Sequence, residues 1–222
     1  MCPTNGIPVA CQDDAKPCAT ARHIDPTTCN AREVYHLLTS GVVPRPIAWI
    51  STMNAQGMSN LAPFSFFTVV SIDPPIFAVT QVYPGPQREN KDTVANLLET
   101  NECIVNIVSD ADAAIMNATC ADYPRGVSEM DALGIETVPG TAVSVPGVKS
   151  SAIRFECTLR ETLDIGNGRV VLLNVVHVVV AKRVLHADGV TIDDSLLHVV
   201  GRMGADVYTR TESQLEMKRP VL

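Results

Sequence analysis

Two long runs of β-forming residues meet at Gly166-Asn167-Gly168, and this junction constrains the fold more than any other stretch of the chain. Residues 153–165 and 169–185 are rich in Val, Ile, Leu and Thr, and so short a glycine-bounded connection turns the second run back antiparallel beside the first. Further strands are expected upstream. Residues 47–52 read as a strand entered through the rigid Pro44-Arg45-Pro46 segment, with a turn at Asn54-Ala55-Gln56-Gly57. Residues 66–71 and 76–82 read as strands separated by Asp73-Pro74-Pro75, which cannot continue a ladder, and 103–109 as another.

Helical periodicity is confined to short stretches. Residues 31–38 place Val34, Leu37 and Leu38 on one face, with Thr28 or Asn30 as cap and Gly41 to close the helix. Residues 91–100 place Val94, Leu97 and Leu98 on a buried stripe, and 110–120 read as helical. Residues 122–150 form a long, partly irregular excursion. Strands dominate without a regular βαβ alternation, so the expected class is mainly β with helical insertions, a closed or nearly closed antiparallel barrel. Residues 1–22 read as a loose N-terminal extension and 23–222 as one domain.

Composition narrows the function. The 222 residues are 46% apolar and carry a formal charge of −7, which supplies a core and argues against a phosphate-backbone binder. No apolar run reaches the about 18 residues that span a bilayer, and the first twenty residues lack a secretory pattern, so a cytoplasmic protein without nucleic-acid or membrane partners is expected. The seven cysteines form no C-x-x-C pair and suit reduced thiols. The five histidines have no ligand-like spacing, so no metal site is expected, and His177 among valines reads as a sheet histidine. There is no G-x-S-x-G elbow, no Walker loop and no G-x-G-x-x-G after a strand.

What remains is a set of small polar positions at strand ends. Ser51-Thr52 closes one strand, and residues 60–66 form a stiff turn into the next. Hydroxyls and free N–H groups there suit the edge of a flat heterocycle. Lys91-Asp92-Thr93 opens a helix, and a helix N-terminus with a lysine and a hydroxyl makes a phosphate seat. The alternative is that Asp92 or Thr93 merely caps that helix.

These stretches resemble the flavin reductase-like family of FMN-binding split-barrel proteins, including its flavoredoxin-like branch. The matching residues are Val43 through Thr52, Gly57 with Asn60-Leu61-Ala62-Pro63-Phe64-Ser65-Phe66-Phe67, Val70 through Pro75, Lys91-Asp92-Thr93 with Asn96, Val105-Asn106, and Gly201-Arg202-Met203-Gly204 with Tyr208. The resemblance implies a six-stranded Greek-key-like barrel that dimerises with FMN at the subunit interface. Carried over, it sets Ser51 and Thr52 along the flavin, Asn60, Ala62, Ser65 and Phe66 against the ring or ribityl chain, and Lys91, Asp92 and Thr93 at the phosphate. Arg88 would be a second phosphate cation, and Tyr208 and Arg210 would approach from the C-terminal segment.

No general base is implied, because the flavin carries the electrons. The expected activity is an FMN reductase using NADH or NADPH, with a monooxygenase or a redox protein as partner. A flavoredoxin-like electron carrier without nicotinamide use is the alternative, and a flavin-binding barrel without turnover a third reading.

Overall fold

In the computed structural model, residues 20–83, 89–124, 126–211 and 213–220 are described. Most of the expected N-terminal extension, including Cys2, Cys11 and Cys18, lies outside the described residues, as does Arg88.

The hairpin at Gly166 forms as the sequence implies. β8 (Ile153–Ile165) and β9 (Gly168–Val180) pair along their full length, and Gly166 turns the chain at φ 55°, a left-handed value that glycine adopts without strain. The second run ends at Val180 rather than at 185, because residues 182–184 close into a 3-10 turn. Around this pair lie β1 (Ala48–Met53), β2 (Ser59–Phe64), β3 (Phe67–Ile72), β4 (Pro75–Val82) and β5 (Glu102–Ile107). Pro75 is the first residue of its strand, a position that needs no ladder N–H.

The strand order is β2-β1-β5-β8-β9-β4-β3, with every neighbouring pair antiparallel. The two edge strands, β2 and β3, are joined by only Ser65 and Phe66, so the sheet must curl until its edges meet. Seven strands stand where the family resemblance implied six. The Phe66 carbonyl accepts the Thr80 N–H at the corner, 2.8 Å away.

Alternation along the strands sorts side chains into two cores. Ala48, Ile50, Phe64, Val79, Val105 and Leu173 fill the barrel, where Phe77 meets Phe67 and Phe155 edge-on at 5.2 and 5.0 Å. Helix α1 (Ala31–Gly41) precedes the barrel, and α2 (Asp92–Thr100) closes it by inserting Val94 and Leu97. Outside the barrel, Trp49 and Leu61 pack with Met116 of α3 (Ala113–Ala118) and Met130 of α4 (Glu129–Ala132). A ribbon of β6 (Thr137–Val138) and β7 (Gly147–Val148) and a C-terminal hairpin of β10 (Val200–Arg202) and β11 (Tyr208–Arg210) complete the fold.

Two helix stripes depart from expectation. α1 is capped at Asn30 by a reciprocal box with Glu33, yet Leu37 and Leu38 are 44% and 58% exposed. In α2, Val94 and Leu97 are buried while Leu98 faces out. The 3.6-residue period marks an apolar face but not what covers it.

Candidate functional site

β1 carries consecutive residues to opposite faces of the sheet. Ser51 lies on the Trp49 side, where its hydroxyl sits 3.4 Å from the Ile104 carbonyl and takes a 3.3 Å hydrogen bond from the Asn106 amide. Thr52 lies on the Ile50 side and accepts from the Asn96 amide of α2 at 3.1 Å. One turn earlier, the Thr93 hydroxyl accepts from Asn60 of β2 at 3.0 Å. These bonds fix α2 against β1 and β2, and they place its start, Lys91 and Asp92, between two surface cavities.

The larger cavity has a volume of about 440 Å³. Tyr35, His36 and Thr39 of α1 form one wall, and Pro63, Phe64 and Ser65 at the end of β2 form another. Met116, Cys120, Arg45, Arg202 and Tyr208 complete the lining, with Lys91 at the start of α2. The smaller cavity, about 190 Å³, is lined by Ser59, Asn60, Asp92, Asn96 and Glu99. Lys91 therefore faces one opening and Asp92 the other.

Sequence comparison decides what kind of chain this is: the profile of the flavin reductase like domain matches residues 40–203. The chain belongs to the flavin reductase-like family. A protein of Deinococcus radiodurans is 38% identical over 205 residues, 89% of each chain. The crystal structure of 2-nitrobenzoate 2-nitroreductase from Pseudomonas fluorescens superposes with a TM-score of 0.82 at 28% identity, covering 90% of this chain and 96% of that one. That of nitrilotriacetate monooxygenase component B from Bacillus cereus gives 0.83 at 28%, covering 89% and 98%.

In this flavin reductase-like protein the expected site residues divide into four groups. Ser65 and Lys91 line the larger cavity, while Asn60 and Asp92 line the smaller. Ser51, Thr52 and Thr93 are at most 1% exposed, so their side chains meet no solvent-open space in the single chain. Ala62 packs on the barrel core, and Phe66 is half-buried at the corner. Tyr208 does reach the larger cavity, but Arg210 turns away to an ion pair with Asp110 at 2.7 Å.

Sequence reasoning assigned no role to Arg45, which the structure makes the organiser of the larger cavity. Its guanidinium donates to the Thr39 carbonyl, to the Val42 carbonyl at 3.2 Å, to the Met203 carbonyl at 2.9 Å and to the Ser65 hydroxyl at 3.4 Å. Three walls are thereby tied to one side chain. Burial, with the Arg202 charge adding to it, pushes this guanidinium below its ordinary value. The signal in the sequence was an arginine held between two prolines inside an otherwise apolar stretch.

Arg202 stacks on the Tyr208 ring at 4.5 Å, and the Tyr208 hydroxyl donates to Asn117 at 3.0 Å. Burial pushes the Cys120 thiol up, while the charges of Arg202 and Lys91 pull it back. Cys103 and Cys157 face each other across β5 and β8 inside the barrel, and mutual contact followed by burial holds the Cys103 thiol well above its usual range. A maleimide is therefore expected to label Cys120 in the folded protein and to spare Cys103 and Cys157 until urea unfolds it. Mass spectrometry of the peptides reads this directly, and labelling of Cys103 under native conditions would contradict the packing.

Proposed function

We propose that the larger cavity binds FMN and that the protein is a cytoplasmic, NAD(P)H-dependent flavin reductase. The observation that carries this reading is the placement of Lys91 at the start of α2, beside a cavity with aromatic and apolar residues in its lining. The Lys91 side chain faces that cavity from the N-cap position of α2, where the positive end of the helix dipole adds to its charge. The residues present fit a flat anionic cofactor. Ile47, Pro63, Phe64 and Met116 give apolar walls for a ring system, and Lys91, whose Nζ lies 5.8 Å from the Phe64 ring centre, gives a phosphate its charge partner.

When bound, FMN supplies the two-electron chemistry. The chain's own tasks are to hold, orient and exclude water. Lys91 holds the phosphate, with Asp92 and Thr93 as the turn behind it. Arg45 orients Ser65, whose hydroxyl accepts from it and keeps its own proton for a ring acceptor. Ser51, Thr52, Asn60, Ala62 and Phe66 would support the ring through their backbone, and no acid-base residue is required. The likeness to a monooxygenase component B supports a role in supplying reduced flavin to a separate oxygenase.

The test is an absorbance spectrum of the purified protein before and after anaerobic NADH or NADPH. Flavin bands that bleach are expected. Bands bleached only by a reduced redox protein would favour the electron-carrier alternative, and no flavin even after adding FMN would overturn the site. Lys91→Ala is expected to weaken FMN binding by about tenfold to a hundredfold, the worth of one charge-assisted contact, as read by fluorescence titration.

A homodimer belongs to the same proposal. Leu37 and Leu38 of α1 and Val69, Val70 and Ile72 of β3 are all more than two-fifths exposed, Ile72 at 88%, apolar groups that a second copy would cover. Light scattering is expected to give twice the chain mass. A monomer that still holds FMN would defeat this part.

A further inference from the structure

Three cations, Arg45, Lys91 and Arg202, line the larger cavity of a chain whose net charge is −7. Among the described residues the single carboxylate on that lining is Asp206, whose side chain stands fully in solvent 3.7 Å from Arg202. An exposed pair of that kind is worth little and is readily displaced. Lys91 sits against Phe64 and Arg202 against Tyr208, so the two outer cations belong to different rings. A flavin phosphate at Lys91 leaves Arg202 answered only by that exposed Asp206 pair.

We infer that the Arg202 end of the cavity is a second anion seat, which takes the carboxylate of a single-ring aromatic acid beside the flavin. The inference rests on the FMN reading given above. The two arginines play different parts in it. Arg45 has committed donors to three carbonyls and the Ser65 hydroxyl, so it contributes charge rather than hydrogen bonds. Arg202 lays one face on Tyr208 and spends a donor on the Ala205 carbonyl, which leaves the rest of its planar edge for a ligand. A planar edge of parallel N–H groups matches the two oxygens of a carboxylate. One available guanidinium edge suits one carboxylate better than an extended diphosphate, which needs several donors. Tyr35, Tyr208 and Phe64 in the same cavity supply flat apolar surface for the ring that bears it.

The test titrates benzoate, benzamide and inorganic phosphate into the FMN-loaded protein, following the flavin spectrum, and repeats the titration by thermal melting with and without FMN. Benzoate is expected to perturb the bound flavin saturably, with benzamide and phosphate each weaker by about tenfold or more. Asp206→Asn, which removes the competing carboxylate, is expected to tighten benzoate severalfold. Arg202→Met, which keeps a long side chain on Tyr208, is expected to weaken it by about tenfold or more.

Equal binding of benzoate and benzamide would overturn the inference, as would phosphate matching benzoate or Asp206→Asn having no effect. Loss of FMN itself in Arg202→Met would do so too, by assigning the cation to the flavin. Should the wild-type protein bind no FMN, the reading of the cofactor site falls by itself. The benzoate-dependent shift in melting then still reports on the seat, and its absence would overturn the seat as well.

Discussion

Glu156→Ala is expected to destabilise the fold by about 3 kcal/mol or more, read as a fall in the urea midpoint, because it strips the acceptor from three backbone N–H groups at once. Glu156 is only 2% exposed, near the start of β8. Its carboxylate takes the N–H of Thr141 at 2.9 Å, of Ala142 at 2.5 Å and of Val143 at 3.3 Å. The loop that supplies them lies between β6 and β7 and is too tight for a side chain at Gly140, where an added Cβ would fall 2.3 Å from the Val143 carbonyl. Burial pushes the Glu156 carboxyl up, but these donors and the facing His177 more than offset it and hold it below the usual glutamate range. The folded state therefore favours the charged form. That stability is present above the ordinary glutamate value of about 4.3 and is lost as pH falls through the lower, folded value. A variant as stable as the parent at neutral pH would refute this account.

Glu129 makes the instructive contrast. It too is buried, but burial outweighs its bond from the Leu61 N–H and holds its carboxyl above the usual range. Glu129→Gln keeps an acceptor for that N–H and sheds the buried charge, so a change within about 1 kcal/mol is expected in the same melt.

The second large effect is expected at Arg45. Arg45→Ala leaves three carbonyls and the Ser65 hydroxyl without their shared donor, at a cost of about 2–4 kcal/mol. FMN affinity is expected to fall by at least about tenfold, since α1, the end of β2 and the C-terminal hairpin then lose their common tie. Arg45→Lys is expected to restore little of either, because a single ammonium cannot reach acceptors on three elements as a fork does. Denaturant melts and flavin titration measure both. A variant that keeps its flavin affinity while losing stability would remove Arg45 from the cavity's organisation and leave it a fold residue.

How far these features were legible in the sequence follows from how local their causes are. The hairpin at Gly166, the cap at Asn30 and the start of α2 at Lys91 depend on residues a few positions apart, and each forms near where it was expected. The Glu156 site does not, because its donors lie 13 to 15 residues away in a loop without a motif. The larger cavity draws on α1, β2, α2 and the C-terminal hairpin, so Tyr35, Arg45 and Arg202 meet only after the barrel has closed. Thr52 and Thr93 carried the right polarity for a ligand, yet Asn96 and Asn60 engage their hydroxyls inside the fold. A polar residue in a matched motif identifies a buried network as readily as a binding surface.

The meeting of β2 and β3 has a consequence for behaviour at high concentration. Strand edges with unanswered N–H and C=O groups invite another chain to add a strand, the first step toward aggregates. On β2, the Leu61 N–H is occupied by the Glu129 carboxylate at 2.8 Å, and the Ser59 hydroxyl is bonded to Ser128 at 2.7 Å. The short helix α4 thus covers part of this edge strand and takes up one N–H that an added strand would otherwise need.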